Sequence, residues 1–117
     1  MSVTLKGLFA VGDRMMSIVD ITGPSSYTQI TAGTPPNGPT GGQSLSAQAC
    51  GLKAIEDLFG GLDNSGKYQV EGVALKAGST PFPNSAALMW IIAHTGAEES
   101  GATDLHTYTV RLTVIGR

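Results

Sequence analysis

The sequence predicts a mainly β protein: one domain over residues 1–117, folded as a β-sandwich or barrel of about six strands, with one short helix and long Pro/Gly loops. Apolar side chains recur at every second position in several segments, which is typical of strands that bury one face. Turn-forming residues separate these segments at intervals of about 8–12 residues, as in sandwiches and barrels. The length suffices for one hydrophobic core but not for two.

The N-terminal segment predicts a β-hairpin. Residues 3–9 alternate and form the first expected strand, and residues 14–22 form the second. Gly12 and Asp13 stand between them as a turn. The second strand ends before a Gly-Pro pair, which cannot continue it.

A long loop is expected over residues 25–42. It consists mostly of Thr, Gly, Pro, Asn and Ser, with Tyr27 and Ile30 as its only large apolar residues. The prolines at 35, 36 and 39 exclude a helix or an interior strand, because proline has no backbone donor. Loops of this length are usually functional, bound to a partner or disordered.

The middle of the chain predicts a short helix over residues 45–50. Ser44 is the expected cap and Gly51 the expected stop. A strand over residues 52–59 follows.

A second hairpin is expected over residues 52–76. Asp63 to Gly66 has the composition of a tight turn, and residues 67–76 form the returning strand.

Two further strands are expected near the C-terminus. Residues 88–95 begin with a continuous apolar run, which favours a strand covered on both faces. Residues 107–115 alternate strictly, with Thr and Arg on one face and Tyr, Val and Leu on the other. Arg111 lies on the polar face, where it can pair with a carboxylate on a neighbouring strand or another chain. Asp104 is placed to brace the turn into the last strand through its side chain.

The composition excludes several classes of partner. Charged residues make up only 14% of the chain, and the net charge is −2 without a basic block, so direct binding of nucleic acid is not expected. No apolar run approaches the roughly 20 residues that cross a bilayer, so no membrane partner is expected. The low charge indicates either that partners cover part of the surface or that the surface is rich in Ser, Thr and Gly.

The residues that could carry chemistry are isolated. The segment 61–67 matches most of a phosphate-binding loop, but Tyr68 replaces the required Ser or Thr and a strand follows. His94 and His106 have no further ligands at metal-binding spacing. Cys50 lies among small apolar residues and is expected in the core. We therefore expect no enzyme activity, no cofactor and no metal.

Several blocks of the sequence resemble a family of small structural proteins of tailed bacteriophages, of the capsid decoration or cement type. The run from residue 40 to 55 carries the family's Thr-Gly-Gly, Leu, Gly-Leu and Ile positions, after a tyrosine. Further similar blocks are 68–70 with 74–77, then 102–105, 109–111 and 114–117. One departure is the insertion of residues 28–39 between the tyrosine and Thr-Gly-Gly. The matching positions in the first block are Tyr27, Thr40, Gly41, Gly42, Leu45, Gly51, Leu52 and Ile55.

The resemblance implies a virion component that binds the major capsid protein on the capsid exterior and stabilises the head. It would be made in the cytoplasm of the bacterial host and act as a homo-dimer or homo-trimer, because sites on a capsid follow its symmetry. A phage tail or connector component and a small ligand- or carbohydrate-binding β-sandwich stay open as alternatives. The expected contacts lie in the first strand and the long loop: Val3, Leu5, Tyr27, Ile30, Thr34, Pro35, Pro36, Asn37 and Pro39.

Overall fold

The protein is a small β-sandwich of two antiparallel sheets, as the sequence predicts. A computed structural model describes residues 2–31, 41–75 and 84–117. Seven strands lie in these residues, one more than expected. They are β1 (Val3–Val11), β2 (Arg14–Thr22), β3 (Gln43–Ser46), β4 (Ile55–Phe59), β5 (Tyr68–Leu75), β6 (Ser85–Ile92) and β7 (Thr109–Gly116).

The strands divide between a four-stranded and a three-stranded sheet. The four-stranded sheet has the order β1-β2-β7-β4, and the three-stranded sheet has the order β3-β6-β5. The predicted N-terminal hairpin and the alternating C-terminal strand are both confirmed, and they are neighbours because β2 pairs with β7.

The core lies between the two sheets and is formed by their inward-facing side chains. In the four-stranded sheet the alternating residues of β2 and β7 are fully buried, including Val19, Ile21, Leu112 and Val114. Trp90 of β6 is the largest fully buried side chain. Burial of alternate residues defines an inner and an outer face for each sheet.

The predicted helix over residues 45–50 is wrong in its first half. Residues Gln43–Ser46 form β3, because Gln43 and Leu45 point into the core while the two serines face outward. Only Gln48–Cys50 is helical, as a single 3₁₀ turn. The hydroxyl of Ser46, not Ser44, accepts a hydrogen bond from the backbone N–H of Ala49 at 3.2 Å. The expected stop at Gly51 is confirmed by its left-handed φ of 74°.

The predicted hairpin over residues 52–76 is also wrong. Its two strands lie in different sheets, since β4 pairs with β7 and β5 pairs with β6. The chain crosses between the sheets immediately after β4. Gly60 permits this crossing, because a Cβ atom there would lie only 1.6 Å from the carbonyl oxygen of Val70. The expected turn at Asp63 to Gly66 is present, but it follows this crossing and leads from Leu62, which already pairs with Gln69, into β5.

Candidate functional site

The outer face of the four-stranded sheet carries a cluster of apolar side chains. Strand pairing places Phe9 beside Met16 and Met16 beside Ile115. The next row places Ile18 beside Thr113 and Thr113 beside Phe59. Val11 continues the first strand on the same face. We call this cluster the apolar outer patch; its members are Phe9, Val11, Met16, Ile18, Phe59 and Ile115.

Large side chains of the patch are exposed to solvent. The exposed fractions are 49% for Phe9, 56% for Val11 and 53% for Phe59, and Met16, Ile18 and Ile115 are half-buried. The ring of Phe9 lies against Gly7, which has no side chain of its own on this face. Contiguous exposed apolar surface is the usual mark of an interaction site.

The opposite end of the same face is polar. The guanidinium of Arg111 donates two hydrogen bonds to the Asp20 carboxylate, at 2.8 and 3.1 Å. This hydrogen bonding lowers the pKa of Asp20, and the positive charge of Lys6 acts in the same direction. The predicted pairing of Arg111 with a carboxylate on a neighbouring strand is therefore confirmed. Leu62, which is 58% exposed, lines a depression beside this ion pair.

Strand β1 is the edge of the four-stranded sheet and is exposed on both faces. Leu5 and Leu8, which face the inner side, are 44% and 42% exposed. They lie beside Gly51 of the 3₁₀ turn, where the edge extends past the core. Both long apolar side chains and backbone groups of β1 are therefore available to a partner.

A network of ion pairs closes the end of this sheet near the first turn. The Glu56 carboxylate accepts hydrogen bonds from the guanidinium groups of Arg14 and Arg117. Arg14 also pairs with Asp13 at 2.8 Å. The hydrogen bond from Arg14 to Glu56 raises the pKa of Arg14. Glu56 is the irregular residue where β4 shifts register against β7, so this bulge directs its carboxylate toward both arginines.

A buried polar network fixes the loops at the other end. The Tyr27 hydroxyl donates to Glu98 at 2.6 Å and accepts the backbone N–H of Trp90 at 3.1 Å. The same carboxylate of Glu98 accepts the backbone N–H of Ile30 at 2.8 Å. Desolvation and the hydrogen bond to Glu98 raise the pKa of Tyr27. This network holds the start of the long loop against the sandwich.

The expected contact residues therefore divide into three groups. Leu5 is exposed and Val3 is half-buried, both on the edge strand. Tyr27 is only 1% exposed and Ile30 is half-buried, so the Tyr27 side chain belongs to the core instead of the contact surface expected for it. The remaining expected contacts lie outside the described residues: Thr34, Pro35, Pro36, Asn37 and Pro39.

The outer patch was not predicted from the sequence. The signal for it is that β2 is apolar on both faces, because Met16 and Ile18 alternate with buried Val19 and Ile21. Such a strand is normally covered on both sides. In the described part of the chain no third layer covers the outer face, so these side chains meet solvent.

The titratable and nucleophilic side chains do not converge. His94 is exposed, and His106 is paired with Asp104 at 2.6 Å, whose carboxylate also accepts the His106 backbone N–H. The brace expected from Asp104 is thus confirmed. Cys50 is fully buried, and desolvation raises its pKa to about 11. Among the described residues, no group of three or more His, Cys, Asp or Glu side chains could hold a metal ion.

The segment that resembles a phosphate-binding loop is a structural turn. Asp63 accepts backbone hydrogen bonds from Ser65 and Tyr68, at 2.8 and 2.7 Å. Burial favours a higher pKa for Asp63, but the hydrogen bonds from Ser65, Tyr68 and Lys67 outweigh it and lower the pKa. A carboxylate occupies the turn, and the strand β5 follows in place of a helix.

Comparison with known proteins gives no assignment: no family model matches the chain, and no match was found among curated proteins or solved structures. Within the described ranges, no helix is long and apolar enough to span a membrane.

Proposed function

We propose that this chain is a bacteriophage capsid decoration protein, which binds the major capsid protein on the outside of the shell and stabilises the head. The observation that carries the proposal is the apolar outer patch, a sheet face with exposed Phe9 and Phe59. A sheet face of this kind suits the folded surface of another protein, because two complementary apolar surfaces exclude water when they meet.

The polar end of the same face gives orientation to such a contact. The Asp20–Arg111 pair and Lys6 stand beside the apolar rows and remain partly hydrated. An apolar centre with a charged rim is the general anatomy of protein interfaces. The capsid surface that fits this face therefore has an apolar centre, with polar groups opposite the ion pair.

The similarity of several sequence blocks to phage decoration proteins supports the same proposal. The last two of these blocks, 109–111 and 114–117, fall largely in β7, the strand that contributes Arg111, Thr113 and Ile115 to the outer face. A protein that binds at many equivalent positions needs only modest affinity at each one, because the copies together resist expansion of the shell. A small sandwich that carries the apolar outer patch meets that requirement.

The proposal is tested by adding purified protein back to phage particles that lack it. Wild-type protein should sediment with the particles in hundreds of copies and raise the temperature at which they release DNA. Phe59→Ser should weaken binding by about tenfold or more, since exposed aromatic side chains often dominate interfaces. Ser44→Ala is the control, because Ser44 is also exposed but lies in β3 of the three-stranded sheet.

Two results would contradict the proposal. One is binding of Phe59→Ser and of a second patch variant, Ile115→Ser, as tight as that of wild type. The other is a location in the particle restricted to a few copies in the tail. Unfolding curves of each variant separate loss of the contact from loss of the fold.

A further inference from the structure

The edge strand β1 lacks the usual protection of an exposed sheet edge over residues 7–11. Edge strands are commonly protected by charges, prolines or bulges. In β1 the bulge and its only charged residue coincide at Lys6, where the register shifts between Leu5 and Gly7. The segment that follows is Gly-Leu-Phe-Ala-Val, without charge or proline, and its large side chains are 42–56% exposed.

The backbone of this segment has an outward-facing row of donors and acceptors. A two-residue turn joins β1 to β2, with Gly12 at a φ of 63°, and pairs Val11 with Arg14. In such a hairpin the flanking pair exchanges both hydrogen bonds, and the pattern then alternates along the strands. Phe9 and Val11 therefore point their backbone groups toward β2. Leu8 and Ala10 point theirs away from the sheet.

We propose that this edge pairs with β1 of a second copy of the chain, antiparallel about a two-fold axis at Phe9. In this register Leu8 lies opposite Ala10 of the second copy, so that the two outward-facing residues exchange backbone hydrogen bonds. Phe9 lies opposite Phe9 as a non-hydrogen-bonded pair, in which side chains approach most closely. The contact is isologous, as a closed dimer requires.

Charge selects this register over its neighbours. Lys6 faces Gly12 of the second copy and lies next to Asp13, whose side chain pairs with Arg14 but is 88% exposed. Opposite charges therefore meet at both ends of the pairing. A shift of two residues that places Leu8 opposite Leu8 brings Lys6 opposite Ala10 instead, and this charge pair is lost.

The dimer has one continuous eight-stranded sheet with both apolar outer patches on the same side. The two-fold axis is perpendicular to the sheet, so the outer faces of both copies lie on the same side of the joined sheet. The exposed rings of Phe9 meet at its centre. This inference does not depend on the proposed function, because the pairing requires only two copies of the chain.

The first test is sedimentation equilibrium of the purified protein from micromolar to millimolar concentration. Wild type should show a monomer–dimer equilibrium. Ala10→Pro should remain monomeric with an unchanged fold, because the outward-facing N–H of Ala10 is not used within the hairpin and edge positions tolerate proline. Ala10→Ser, which keeps the N–H, is the matched control and should dimerise. A wild-type protein that is monomeric throughout, or trimeric, overturns the proposal.

The second test does not require Ala10→Pro to fold. Phe9→Cys should form a disulfide-linked dimer under mild oxidation, because its Cβ atom faces that of the second copy across the axis. Phe59→Cys is the control: it is equally exposed, on the same face, but at the β4 edge. The native Cys50 is buried and does not interfere. Equal or faster cross-linking of Phe59→Cys overturns the proposed register. Monomeric protein that still binds particles contradicts only the dimer, and a dimer that binds no particle contradicts only the decoration function.

Discussion

The indole N–H of Trp90 donates a 2.7 Å hydrogen bond to the side-chain oxygen of Gln43, between two neighbouring strands of the three-stranded sheet. The Gln43 amide in turn donates to the backbone carbonyl of Thr22 at 2.8 Å, at the end of β2. The buried Gln43 side chain thus accepts the hydrogen bond from the indole N–H of the only tryptophan and connects the two sheets.

Replacement of Gln43 should therefore destabilise the protein. Gln43→Ala leaves the Trp90 N–H without its acceptor, and an unsatisfied buried donor costs about 1–3 kcal/mol. Urea unfolding, followed by the fluorescence of Trp90, measures the loss. Gln69→Ala is the control: Gln69 is exposed, and its removal should change the free energy of unfolding by less than about 0.5 kcal/mol. Equal effects of the two variants would contradict this role of Gln43.

The Tyr27 hydroxyl should stabilise the fold through its two hydrogen-bond partners. Tyr27→Phe keeps the ring but removes the hydroxyl. The backbone N–H of Trp90 then loses its acceptor, and the Glu98 carboxylate loses a donor. We expect a loss of about 1–3 kcal/mol in the free energy of unfolding. Tyr108→Phe is the matched control, since the Tyr108 hydroxyl makes no hydrogen bond with the described residues. A stable Tyr27→Phe would show that water replaces the hydroxyl at little cost.

The Asp20–Arg111 pair should make a small contribution to stability that disappears in acid. The folded pKa of Asp20 lies below its ordinary value of 3.8. The stabilisation is therefore complete above the unfolded pKa and is lost as the pH falls through the folded pKa. Because the pair is largely exposed, solvent screens it and its contribution at pH 7 is small.

The measurement for this pair is urea unfolding of wild type and Asp20→Asn at neutral pH and at a pH below 3.8. The difference between the two proteins should shrink in acid. A double-mutant cycle with Arg111→Met isolates the interaction itself. A difference that grows as the pH falls would contradict the assigned direction of the pKa.

Gly60 should be among the positions least tolerant of a side chain. The methyl group of Gly60→Ala meets the Val70 carbonyl oxygen, so the crossing between the sheets must move apart. We expect a loss of about 3 kcal/mol or more in the free energy of unfolding. Gly12→Ala is the control, because no atom lies within 4 Å of its added Cβ and only its positive φ opposes the substitution. That backbone cost is about 1–2 kcal/mol. Thermal and urea unfolding of both variants tests whether Gly60→Ala is the more destabilising of the two.

Cys50 should react with thiol reagents only when the structure opens. At pH 8 its thiol is protonated, since burial raises its pKa to about 11, and no path from solvent reaches the sulfur. Labelling by a disulfide reagent should be much slower than in urea, because the sulfur becomes accessible only when the structure opens locally or globally. Phe59→Cys supplies an exposed thiol as the internal reference. Rapid labelling of Cys50 in the native protein would show that the 3₁₀ turn opens locally.

The sequence by itself determined the fold class and the elements whose pattern is local. The β1–β2 hairpin follows from two alternating segments around a Gly-Asp turn, and β7 follows from strict alternation. The roles of Asp104 and Arg111 were also predictable, because a polar side chain at a turn or on a polar strand face has few possible partners. Each of these features depends on neighbours in the chain or on the period of one strand.

The tertiary structure alone decided which strands pair and which apolar faces stay uncovered. The expected pairing of 52–59 with the strand after it is wrong, because β4 pairs with β7, which is distant in the sequence. The side-chain pattern of β4 does not indicate which strand it pairs with. Likewise Met16 and Ile18 look the same in the sequence whether or not a third layer covers them. Whether apolar side chains become core or contact surface depends on how many layers the whole chain builds.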